Sequence, residues 1–153
     1  MDQGFRNLCA LAAAAALLSA CSGRSHDQAE GVYVLTVGAP LRDDCSHLTS
    51  GAELSRGELV VAGNTVRMKH GLYGMLLAGA YRSNEESFYV DGTAGNLNET
   101  LNGTDCLLDR IALHVDATTD TPDTFHGFAR LRFEGQTDPC ICEVWTSYTA
   151  VKQ

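Results

Sequence analysis

The sequence predicts an all-β domain: an up-and-down meander of eight strands that closes, or nearly closes, into a barrel stapled by disulfides at one end. Three observations predict it. Segments of β-branched and aromatic residues alternate apolar and polar side chains with period two. Turn residues separate them at the short intervals of hairpins. Four cysteines, Cys45, Cys106, Cys140 and Cys142, fall where a meander of this kind brings its connections to one end.

Taken in order, Gly31–Val37 (GVYVLTV) reads as the first strand, and Gly38–Arg56, with Pro40 and Gly51, as a long polar connection. Glu58–Ala62 and Thr65–His70 flank Gly63-Asn64, a two-residue hairpin turn that needs positive φ. Val66 and Met68 alternate there with Arg67 and Lys69, so one face is buried. Met75–Arg82 and Glu86–Asp91 form a hairpin around Ser83-Asn84; Gly74 and Gly79 oppose a helix in this stretch. Gly92–Asp105 reads as a second polar loop.

Leu108–Asp116 places Ile111, Leu113 and Val115 inward and Arg110, His114 and Asp116 outward. After a polar turn at Ala117–Asp123, Thr124–Glu134 places Phe125, Ala129, Leu131 and Phe133 inward and His126, Arg130, Arg132 and Glu134 outward. Gly135–Pro139 turns the chain into Ile141–Val151. Such a meander can abolish its sheet edges by closing, with an interior for side chains or one small ligand. In size and strand count it is similar to small lipocalin-like barrels, a likeness that a two-sheet sandwich shares.

The start of the chain sets a different expectation. Leu8–Leu18 is an uncharged apolar run, too short to cross the ~30 Å of a bilayer core as a helix and of the kind found in a secretory signal. Directly after its last residues comes Leu18-Ser19-Ala20-Cys21, which resembles the lipobox of bacterial lipoproteins at all four positions. That resemblance implies a signal peptide at 1–20, a diacylglyceryl group on Cys21 and a membrane anchor through it. It implies export, and with Ser22 rather than Asp after the cysteine, an outer membrane facing the periplasm where the cell has one. Residues 21–30 then form the lipidated cysteine and a flexible tether, and residues 31–153 the all-β domain.

With Cys9 removed and Cys21 lipidated, the other four cysteines read as two disulfides. A Cys140–Cys142 bridge would close a strained ring, so each of these two reaches back to Cys45 or Cys106. The formal charge of −8 excludes nucleic acid as a natural partner and gives no attraction to anionic lipid. The 44 % hydrophobic content suits a globular domain.

No nucleophile elbow, phosphate loop, dinucleotide fingerprint or zincin helix occurs, so no catalytic residue, metal or cofactor is assigned and an enzyme is not expected. The RDDCSH cluster (Asp43, Asp44, His47) reads as a loop pinned by a disulfide. His114 and His126 would lie opposite each other if the loop between their strands closed symmetrically, near enough to share a metal, though no third ligand accompanies them. Cys140 and Cys142, alternate residues of one strand, could clamp a metal but read as disulfide cysteines in an oxidising compartment. Trp145 and Tyr148 read as core or rim packing. The favoured function is non-catalytic binding of a small apolar or amphipathic molecule or an envelope component. The alternative is a solid-cored protein-interaction or inhibitor module in the cell envelope.

Overall fold

The computed structural model describes residues 28–48, 51, 53–84 and 86–153. The signal segment and Cys21 lie outside the described residues. Nine strands follow one another: β1 (Gly31–Asp43), β2 (Glu53–Ala62), β3 (Thr65–His70), β4 (Leu76–Tyr81), β5 (Ser87–Ala94), β6 (Leu97–Leu101), β7 (Thr104–Thr121), β8 (Thr124–Gly135) and β9 (Ile141–Lys152). Short 3-10 turns at Leu72–Gly74 and Asp138–Cys140 precede β4 and β9. All pairings are antiparallel, in the order β5-β4-β3-β2-β1-β9-β8-β7-β6, with β5 also pairing to β7.

This corrects the expected eight-stranded closed barrel. The sheet has nine strands; its pairing returns on itself through β5–β7 in a near-ring, and β6, hydrogen-bonded to β7 alone, leaves an edge. The extra strand comes from Gly92–Asp105, expected as loop. Leu97-Asn98-Glu99-Thr100-Leu101 is polar outside and buries chiefly Leu101, so it lacks the apolar rhythm that marks a strand. The register of β7 against β8 slips between Leu108 and Arg110, so buried Leu108 is followed by buried Ile111. Such a bulge bends the strand and divides β7 between β5 and β6. The connection expected at Gly38–Arg56 is shorter too, because β1 continues past Pro40 along β9 through two register shifts.

One face of the sheet forms the core. Tyr33, Leu35, Leu59, Met68, Phe88, Ile111, Phe125, Leu131, Phe133, Val144 and Tyr148 belong to a single buried cluster. Phe125 touches Tyr33, Phe88 and Tyr148 with ring centroids 4.9, 5.4 and 6.1 Å apart. Glycine is required where backbones approach: a Cβ on Gly79 or Gly127 would stand 1.8 or 1.9 Å from the carbonyl oxygen of Tyr89 or Asp116. The buried side chains of this face pack into one continuous cluster.

Both ends are covered. At one, disulfides join Cys45 to Cys142 and Cys106 to Cys140. There the Asn102 backbone N–H and Nδ2 donate to the carbonyls of Cys45 (3.2 Å) and Asp44 (2.7 Å), pinning the β6–β7 hairpin. At the opposite end hydrogen bonds fix the chain leading into β1 from Gln28 onward. Gln28 is fully buried, its Nε2 donating to the Tyr33 hydroxyl (2.7 Å) and the Pro122 carbonyl (2.9 Å). The Tyr33 hydroxyl lies 2.6 Å from the carbonyl of Ala29.

Candidate docking face

The strand register lays out the outward face. Asp91 on β5 stands opposite His114 on β7, His114 opposite Arg130 on β8, Arg130 opposite Trp145 on β9, and Trp145 opposite Arg42 on β1. One step along the strands, Asp116 pairs with Phe128 and Phe128 with Ser147. The sheet therefore carries large apolar side chains on its solvent side: Leu41, Phe128 and Trp145 are 57, 55 and 38 % exposed. They line one depression of about 400 Å³ together with His114, Asp116 and Arg130.

The charges around it are mutually satisfied. The Arg130 guanidinium lies over the Trp145 ring, 4.8 Å from its centroid, and its Nε pairs with Glu143. Arg42 reaches the same carboxylate at 3.0 Å and Asp44 at 2.6 Å. Hydrogen bonding by Arg130 holds the Glu143 carboxyl below its ordinary range against a smaller opposing effect of burial. His114 bridges two strands: Nδ1 is 2.6 Å from Asp91 and Nε2 is 2.9 Å from Asp116. Burial lowers the affinity of His114 for a proton, but the two carboxylates outweigh it and raise its pKa above the usual value. Arg82 pairs with Asp116 and lies over Tyr89, whose ring stacks on His114.

The other candidates resolve differently. His114 and His126 do not face each other: the register places His114 against Arg130 and His126 against Thr118, a four-residue offset that also replaces an Arg110–Arg130 pairing with Arg110–Glu134. Attraction between Arg110 and Glu134, bonded at 2.8 and 2.9 Å, favours this register over one that opposes two arginines. His126 bonds Asp120 instead. No group of three or more potential metal ligands forms among the described residues. In the RDDCSH loop the Asp43 carboxylate accepts the backbone N–H groups of His47 and Leu48 at 2.9–3.0 Å, a bracing role. Trp145 and Tyr148, three residues apart on a strand, fall on opposite faces: Tyr148 is core, donating to the Asp116 carbonyl at 2.8 Å, and Trp145 faces out.

Sequence reasoning missed Leu41 and Phe128. Leu41 lay in what read as a loop behind Pro40. Phe128 has the same strand parity as His126 and Arg130, and an aromatic residue on an otherwise polar face was the available signal. Fold and site together define a compact, disulfide-stapled all-β domain with an aromatic and arginine-rich outer face. No family model, curated protein or solved structure matches the chain.

Proposed function

We propose that this chain is a lipid-anchored, non-catalytic protein-interaction module of the bacterial cell envelope, and that it docks an envelope protein on the face formed by Leu41, Phe128 and Trp145. The observation that carries the docking reading is the gathering of these three exposed side chains around one apolar depression, with Arg130 stacked on the indole. Aromatic and arginine side chains dominate the energetic centres of protein interfaces. A sugar or base would stack on the open face of an indole, and here a guanidinium stands over that ring.

The anchor reading rests on the lipobox resemblance at Leu18-Ser19-Ala20-Cys21. Residues 22–27 separate Cys21 from the fixed Gln28, a span of at most about 25 Å. Trp145 lies a further ~20 Å up β9 from Lys152 at the tether end. The docking face thus lies toward the end of the domain away from the tether, where a protein partner can reach it. In gently solubilised envelopes the chain should migrate in a complex with a second polypeptide, Phe128→Asp should release it as a monomer, and Cys21→Ser should move it to the soluble fraction. A monomeric wild type would refute docking, and membrane retention of Cys21→Ser would refute the lipid anchor.

A further inference from the structure

We propose that the docking face is built for a polypeptide segment presenting an aromatic or branched apolar side chain beside a carboxylate. This rests on the docking reading above and names the partner's chemistry. Two depressions adjoin on the face and share His114 and Arg130. The first is the apolar one described. The second, about 360 Å³, has small residues Gly92 and Ala112 in it and three basic side chains around it: His114, Arg130 and Arg132. It lies one row along the strands, where Thr93 pairs with Ala112 and Ala112 with Arg132.

The cationic character of this second depression follows from its contacts. A neutral imidazole has one N–H, so both ring nitrogens of His114 can bond Asp91 and Asp116 only as an imidazolium. Asp91, the carboxylate lining this depression, is matched by that charge. Among the described residues Arg132 meets a carboxylate through Nε, 3.3 Å from Glu134, which two nitrogens of Arg110 already hold. A guanidinium fork suits a further carboxylate. In a chain of net charge −8, a depression lined by three basic side chains and one carboxylate, with Arg132 only weakly engaged by Glu134, favours an acid at that place. The depressions adjoin at His114 and Arg130, one reaching from there to β5 and the other to β9 and β1, so they run side by side across the strands. An occupant of both must be extended, which favours a polypeptide over a compact ligand.

The test is an NMR titration of the intact oxidised ¹⁵N-labelled protein with three probes at millimolar concentration: acetyl-Ser-Phe-Ser-Asp-Ser-amide, the same peptide with Asn for Asp, and octanoate. The acidic peptide should move the Trp145 indole N–H together with the amides of His114, Arg130 and Arg132. The Asn peptide should bind about fivefold more weakly, and Arg132→Gln should erase that difference. Equal binding of the two peptides with Trp145 still shifted would overturn the acid recognition and leave the docking face standing. Octanoate binding as tightly as the acidic peptide would overturn the polypeptide assignment. No shift of Trp145 with any probe would sink the docking reading itself.

Discussion

Arg130 covers the indole of Trp145 while its Nε bonds Glu143, so one guanidinium serves a ring and a carboxylate on the neighbouring strand. Trp145 is the only tryptophan of the chain, so its fluorescence reports on this arrangement alone. Arg130→Ala should shift Trp145 emission to the red as the ring gains water. It should cost about 0.5–1 kcal/mol in urea unfolding, the scale of an exposed cation–π and ion-pair contact. Unchanged emission would mean that the guanidinium does not cover the ring in solution.

His70 is fully buried, its Nδ1 accepts the Leu72 backbone N–H at 3.2 Å, and its Nε2 has no partner among the described residues. Burial lowers its pKa to about 4. Because the folded value lies below the unfolded one near 6.5, the unfolded chain binds the extra proton between them. Stability from this group is complete above pH ~6.5 and is lost as the pH falls toward ~4, up to about 3 kcal/mol. Urea unfolding from pH 7 to 4 should show this loss, and His70→Leu should flatten that part of the profile. An identical profile in the variant would place the dependence elsewhere.

The two disulfides close unequal loops, with separations of 97 residues for Cys45–Cys142 and 34 for Cys106–Cys140. Loop entropy then assigns them about 5 and about 4 kcal/mol. Replacing Cys106 and Cys140 by Ser should destabilise less than replacing Cys45 and Cys142. It should also raise amide exchange first in Leu97–Leu108, the hairpin that Cys106 ties to Cys140. Uniform exchange across all strands would contradict a locally tethered hairpin.

Gly127 packs against the backbone of β7 so closely that a Cβ would meet the Asp116 carbonyl oxygen. Gly127→Ala should therefore destabilise by about 2–3 kcal/mol, as forced overpacking does. A thermal melt within 1–2 °C of wild type, below the shift expected for even ~1 kcal/mol, would show that β7 and β8 separate there more easily than their register implies.

The sequence was most legible where burial alternates. Phe125, Ala129, Leu131 and Phe133 face inward, and Tyr33, Leu35 and Val37 do the same on β1. Period two follows directly from the pleat, and one buried face imposes it. It was least legible where polar residues form strands. Asn98, Glu99 and Thr100 pair with Leu107, Cys106 and Asp105, and backbone pairing with β7 sets their conformation more than any apolar rhythm. Closure failed as an expectation for the same reason, since β6 was invisible. The docking face was half visible: Arg130, Trp145 and His114 stood out as residues, but the register that sets them in one row depends on the Arg110–Glu134 contact and a bulge near Asp109.

The most direct test of docking places a photo-crosslinking amino acid at single positions of the full-length protein in living cells. Leu41 lies in the docking depression, and Val60 is comparably exposed on β2, away from it. A discrete adduct with one partner protein is expected from position 41, lost when Trp145→Ala is added, and none from position 60. Adducts of equal yield from both positions, or none from either, would contradict docking.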